Sequence, residues 1–173
     1  MEQKIAIIGY SGSGKSTLAQ KLGKKYNCDV LYLDCVHWLP GWKERQKEDT
    51  KKIVSDFLDT HPGWVIDGNY KSVCFNRRME EASHIIFLKF PIHICLYRAV
   101  KRYFTYRGQS RFSMADGCNE KIDKEFLWWI IHEGRDKTHQ KRYQKLYEKY
   151  PKKLIVLKNP RAVKKFTQKL SLM

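Results

Sequence analysis

Near its amino terminus the chain reads Gly9-Tyr-Ser-Gly-Ser-Gly-Lys15-Ser16-Thr17, which fits the spacing GxxxxGK followed by Ser or Thr. A short apolar run, Lys4 to Gly9 (KIAIIG), precedes it, and Leu18, Ala19 and Leu22 follow at helical spacing. A glycine turn between a strand and a helix aims successive backbone N–H groups, and the positive end of the helix, at phosphate oxygens. Gly9, Ser11, Gly12, Ser13, Gly14, Lys15, Ser16 and Thr17 are therefore expected to cradle a nucleoside triphosphate such as ATP. Lys15 would place a full charge on the β and γ phosphates and Ser16 a hydroxyl on Mg2+.

Phosphoryl chemistry also asks for carboxylates and for cations on the transferring group. Asp34 and Asp67 each follow a short apolar run. A carboxylate at a strand end beside the loop can hold hydrated magnesium or take a proton from an attacking hydroxyl; it can equally cap a helix or open a turn. Asp34 is assigned to catalysis and Asp67, with Ser16, to the metal, although the residues alone leave the two roles exchangeable. Arg98 and Arg102 are four apart and share a helix face, with Arg107 and Arg111 beyond them. Guanidinium forks in such an array would stabilise the charge spread over a transferring phosphoryl group. Trp38 and Trp42 flank Pro40-Gly41 behind Asp34, where an acceptor would bind, while Tyr70, Trp128 and Trp129 are expected mostly in the core. His37, His93 and His132 have no partner spacing and read as structural.

These residues need a frame that brings them together. Lys4–Gly9 reads as a central parallel strand buried on both faces, followed by a helix from Lys15 to Tyr26. Val30 to Leu33, ending at Asp34, Trp64 to Ile66, ending at Asp67-Gly68, Ile85 to Phe90, stopped by Pro91, and Leu154 to Leu157 are the further strands. Ile53, Val54, Phe57 and Leu58 mark a helix face, a basic helix runs from about Pro91 to Tyr106, another starts near Lys121, and a last one opens at Asn159-Pro160. Alternating strands and helices predict an α/β, three-layer P-loop NTPase fold: a five-stranded parallel sheet with helices on both faces and a small lid. In such sheets the ligand lies beyond the carboxyl ends of the strands, where Gly9, Asp34 and Asp67 would meet. One domain is expected over 1–173, with an acceptor-binding segment at about 35–62 and a lid at about 107–121.

The composition agrees with a folded domain: 42% hydrophobic, 30% charged and 13% aromatic residues. Lys plus Arg number 34 against 18 Asp plus Glu, and the net charge of +16 favours polyanionic company: nucleotides, nucleic acid or an anionic membrane face. Five cysteines without a CxxC pair indicate neither a disulfide framework nor a zinc site. The first ten residues are too briefly apolar for a signal peptide or a membrane span, so a cytoplasmic location is expected, with no membrane partner.

GYSGSGKS, LDxxHW at Leu33 to Trp38, WVIDGNY at Trp64 to Tyr70, and RGQSR followed by GCNEKID and EFLWWI together resemble the bacterial topology modulation protein family, which is similar to adenylate kinase and other small P-loop kinases. The resemblance spans nearly the whole chain. It implies a nucleoside monophosphate kinase-like core with a lid contributing arginines to the triphosphate. Asp67-Gly68 resembles the Asp-Gly of the adenylate kinase motif DGFPR, but Asn69-Tyr70 replaces the Phe-Pro-Arg, leaving Arg77 or Arg78 to supply the missing arginine. Asp34 resembles the acid after the second strand in shikimate and gluconate kinases, whose acceptor is a hydroxyl compound. Sequence thus points to a Mg2+- and ATP-dependent phosphotransferase acting on a nucleoside monophosphate or a small hydroxyl compound. The alternative is a nucleic-acid-binding regulator, related to DNA topology, that uses ATP as a switch.

Overall fold

The computed structural model describes residues 2–171. Its centre is a five-stranded, all-parallel sheet of β1 (Lys4–Gly9), β2 (Asp29–Tyr32), β5 (Trp64–Asp67), β6 (His84–Leu88) and β7 (Leu154–Leu157), in the spatial order β2-β5-β1-β6-β7. Every residue of β5 and all but the first of β1 and β6 are buried, as expected of strands covered on both faces. The layers are supplied by α1 (Lys15–Tyr26), α2 (Leu33–His37), α3 (Lys47–Thr60), α4 (Phe75–Glu81), α5 (Ile92–Thr105), α6 (Lys124–Ile131), α7 (Lys137–Lys149) and α8 (Pro160–Ser171). A two-stranded antiparallel hairpin, β3 (Trp38–Leu39) with β4 (Lys43–Glu44), stands apart from the sheet.

Two departures from the sequence reading matter for the site. The second strand stops at Tyr32, and Leu33 and Asp34 begin a short helical turn rather than ending the strand. The turn is held by packing: Leu33 is buried against Gly68, whose φ of +143° and whose missing Cβ, which would lie 2.8 Å from Leu33 Cβ, let the two segments touch. The helix expected from about Lys121 starts at Lys124, because Asp123 caps it by accepting from Phe126 N at 2.8 Å, and it breaks at His132 before Asp136 caps α7. At the other end of the chain, Asn159 Oδ1 accepts from Ala162 N at 2.9 Å and caps α8.

Helix α1 lies close against β2 because Gly23 has no side chain. A Cβ there would fall 2.2 Å from Val30 Cγ2 and 3.2 Å from Cys28 O. Gly23→Ala should therefore destabilise the protein by about 1–3 kcal/mol despite the better helix propensity of alanine. Urea unfolding should show that loss, and Val30→Ala in the same chain should recover part of it, because the two changes share one contact.

Candidate active site

The loop between β1 and α1 sits at the carboxyl edge of the sheet. Gly12 has φ +77°, and a Cβ on it would come within 2.4 Å of Cys95 O in α5, so only glycine fits. Arg98, one helical turn on from Cys95, donates from Nη1 to Ser13 O at 2.9 Å and packs over the Phe90 ring. Lys15 Nζ lies 3.3 Å from Tyr10 O, folded back over the loop. Tyr10 itself is buried, with the Arg135 guanidinium 3.6 Å from its ring centroid and Tyr143 edge-on to it. Arg135 also donates to Ile130 O and Phe90 O, fixing the break between α6 and α7 beneath the loop.

Asn69 plays a part that sequence reading did not assign. The β1–β5 ladder ends where Gly68 N donates to Ile7 O at 3.1 Å, which leaves the next backbone groups of Gly9 without a strand partner on that side. Asn69 supplies one with its side chain: Oδ1 accepts from Gly9 N at 2.9 Å and Nδ2 donates to Gly9 O at 2.6 Å. The same Nδ2 reaches Tyr143 Oη at 3.4 Å. An amide, with one donor and one acceptor side by side, is the side chain that can imitate a backbone partner.

Neither arginine proposed to replace the missing one reaches this edge. Arg78 is fully buried and donates to Val73 O, Gly68 O and Tyr70 O, holding the segment around Asn69 in shape; burial drives its pKa down to about 10. Arg77 lies in a partly exposed network with Asp59, Glu81 and Ser55. Both belong to structure.

Asp67 is 5% exposed, beside Lys15 and Ser16, and its Oδ1 has no hydrogen-bond partner among the described residues. Burial raises its pKa to about 6, against the lowering effect of Lys15. A buried, unpartnered carboxylate oxygen next to the Ser16 hydroxyl is the donor set a hard cation such as Mg2+ takes. No group of three or more His, Cys, Asp or Glu suited to a metal occurs among the described residues, so the rest of such a shell would come from phosphate and water. Asp34 is more open: Tyr70 Oη donates to its Oδ1 at 2.8 Å, and Arg111 Nη2 faces its Oδ2 at 3.9 Å. Burial, then the Asp34 charge, push the Tyr70 phenol far up, so it stays a neutral donor.

Two cavities meet here. One, of about 690 Å³, runs from Ser11–Lys21 of the loop and α1 past Arg98, Arg102 and Arg111 to Pro160, Val163 and Lys164 of α8. The other, of about 860 Å³, is walled by Trp38, Trp42, Tyr70 and Trp129. Both are lined by Ser11, Lys15, Asp34, Arg102, Arg111 and Phe126. Glu120, unnoticed in the sequence, organises the junction: its buried carboxylate pairs with Arg102 Nε at 2.6 Å through one oxygen and Arg111 Nε at 3.0 Å through the other. Arg107 is exposed and lines neither cavity, which separates it from the other arginines.

The segment carrying Arg111 and Glu120 is docked on the β3–β4 hairpin. Gly41 N donates to Gly117 O and Trp42 Nε1 to Asn119 O, each at 3.1 Å, and Cys118 Sγ faces Leu39 O at 3.2 Å. Of the aromatic residues expected mainly in the core, Trp128 is 54% exposed and Trp129 is 40% exposed, the latter on the cavity wall with Tyr70. His37, read as structural, stands on the same wall between Trp38 and Tyr70, with ring centroids 4.8 and 4.6 Å away. No signal in the sequence ties it to Tyr70.

Asn69→Ala should lower stability by about 1–3 kcal/mol by leaving Gly9 without partners. It should also weaken Mg·ATP binding about tenfold as the loop loses its tether, with calorimetric titration as the readout. Asp67 makes the opposite prediction for stability. Its raised pKa favours folding fully below 3.8, and that contribution is lost as pH rises through about 6. Asp67→Asn should therefore stabilise the ligand-free protein by up to about 3 kcal/mol at neutral pH, with the gain vanishing near pH 4 in a pH series of urea unfolding.

No family model matches the chain. The fold is that of P-loop kinases: the shikimate kinase of Acinetobacter baumannii, solved with shikimate, superposes with a TM-score of 0.58 at 13% identity, over 99% of this chain and 93% of that one. A gluconokinase of Arabidopsis thaliana is 35% identical over 69 residues, covering 30% of this chain and 36% of that protein. The uncharacterized protein YqaC of Bacillus subtilis (strain 168) is 30% identical over 132 residues, 75% of this chain and 71% of its own length. By that extent of shared sequence, on a P-loop kinase fold, the chain belongs to the family of YqaC.

Proposed function

We propose that the protein is a Mg2+-dependent phosphotransferase that moves the γ-phosphoryl group of ATP to a hydroxyl of a small acceptor. The observation that carries this reading is the shared lining of the two cavities: the loop lysine, a carboxylate and two arginines stand where a donor in one cavity would face an acceptor in the other. ATP would lie in the first cavity, its phosphates on the backbone N–H groups of Gly12 and of Gly14 to Ser16 and on Lys15, with Ser13 N kept by Tyr10 O, and its nucleoside toward α8. Mg2+, held through Ser16 and Asp67, would supply charge neutralisation between the phosphates.

Asp34 fits the role of general base. It is held by Tyr70 on one oxygen and keeps the other toward the junction, so it can take the acceptor's hydroxyl proton as the oxygen bonds to the γ phosphorus. The bond from that phosphorus to the bridging oxygen breaks, and ADP leaves with the electron pair. Arg102 and Arg111 stand ready for the charge on the equatorial oxygens, and Glu120 keeps both forks in place until then. A hydroxyl acceptor is favoured over a monophosphate because a phosphate nucleophile is already ionised and needs no base. The gluconokinase and shikimate kinase likenesses support the same class.

ADP formation should be measured with Mg·ATP and a panel of hydroxyl compounds and nucleoside monophosphates. Acceptor-dependent turnover should fall at least about a thousandfold in Lys15→Ala, and about a hundredfold or more in Asp34→Asn with ATP affinity retained. ATP binding without turnover for any acceptor would defeat the reading.

A further inference from the structure

The larger cavity carries more positive charge than the proposed reaction uses. Its lining holds seven Lys or Arg side chains against four Asp or Glu. The four acids lie at the reacting end or are engaged: Asp34 with Tyr70, Asp67 behind Ser16, Glu120 with two arginines, and Glu44 near His37 at 3.9 Å. Lys121 has Asp123 at 3.1 Å. Lys47, Lys71 and Arg142 have no acidic partner among the described residues, yet come from three separate elements: the start of α3, the loop after Asn69, and the middle of α7. Lys47 and Lys71 are exposed and Arg142 is half-buried, so together they give the mouth of this cavity a positive wall that favours an anionic ligand.

The same cavity is also lined by aromatic residues. Trp38 and Trp42 meet at 5.5 Å between centroids, and Tyr70 and Trp129 complete a surface suited to the face of a planar ring.

On this basis, and resting on the kinase reading above, we infer that the acceptor is an anionic hydroxyl compound with a ring-bearing body. Its phosphate or carboxylate sits on Lys71 and Arg142 with Lys47 nearby, its ring lies along Trp38, Tyr70 and Trp129, and its hydroxyl reaches Asp34. The remote charge would anchor the acceptor without taking part in transfer, so it governs affinity rather than the chemical step.

The test is equilibrium binding to the full chain with the first cavity filled by saturating Mg·ADP, read by tryptophan fluorescence, using matched ring-bearing pairs: AMP against adenosine, pyridoxine phosphate against pyridoxine, and shikimate against its methyl ester. At least one anionic member should bind about 10- to 100-fold tighter than its neutral partner, the worth of one or two charge-assisted contacts. Lys71→Ala with Arg142→Ala should remove that advantage, while Lys141→Ala, an exposed lysine of α7 off the cavity, should not. The phosphate pairs and the carboxylate pair separate the two sources of charge. Equal affinity within every pair, or an advantage untouched by the double variant, overturns the inference and leaves the kinase reading standing. Anion-selective binding without ADP formation would do the reverse.

Discussion

The phosphate loop is joined to the sheet at the carboxyl edge by the hydrogen bonds between the Asn69 amide and the backbone of Gly9. A phosphate-binding loop must hold glycines at positive φ while most of its amide groups point outward, so it satisfies little of its own backbone beyond Ser13 N, which donates to Tyr10 O at 3.1 Å. The sheet solves this from outside. Its ladder stops one step short of Gly9 on the β5 side, and a side chain from the end of β5 finishes it. Arg98 grips the loop from α5 at Ser13, and Arg135 with Tyr143 encloses Tyr10 from the α6–α7 break. The phosphate cradle is therefore built before any phosphate arrives, which is the form of preorganisation that makes electrostatic stabilisation effective.

The second constraint is the charge at the junction of the cavities. Arg102, Arg111 and Lys15 crowd one small volume with Asp34, Asp67 and Glu120. Glu120 is the reason the two arginines can stand side by side, and burial lowers the pKa of Arg102 all the same. Because Glu120 and Arg111 belong to a segment tied to the β3–β4 hairpin through Gly41, Trp42 and Leu39, the arginines on the phosphate side and the aromatic wall on the other side are one mechanical unit. A movement of that hairpin would carry Arg111 with it.

Most of the frame was legible in the sequence because it follows from period and punctuation. Apolar runs of strand length, closed by Gly9, Pro91 or Asp67-Gly68, gave the sheet; Asn159-Pro160 gave the start of α8. That the loop and Asp67 would meet at one edge was legible because each follows a strand-length apolar run of a parallel sheet. What sequence could not give is direction across space. Asp34 is aimed by a helical turn that exists because Leu33 packs on Gly68, a contact between segments more than thirty residues apart. Asn69, Glu120 and Arg135 are ordinary polar residues until their partners are known, and the partners are distant in sequence. Arg77 and Arg78 show the converse error: adjacent arginines near an Asp-Gly motif invite a catalytic reading, and burial turns one into a backbone clamp while the other faces Asp59 and Glu81.

That distinction also changes how the net charge of +16 is to be understood. Part of it never faces a cavity. Arg78 holds carbonyl groups in the interior, Arg135 grips Ile130 O and Phe90 O, and Lys149 and Lys153 bind Glu80 and the end of α4, while Arg102 and Arg111 face the cavities with their charge partly offset by Glu120. Paired or carbonyl-bound cations create weak fields at a distance, whereas unpaired ones inside a concave, poorly solvated wall create strong local ones. The field at the cavities is therefore set less by the total read from composition than by the cations without an acidic partner among the described residues, such as Lys21 and Lys164 in the first cavity and Lys47, Lys71 and Arg142 in the larger one.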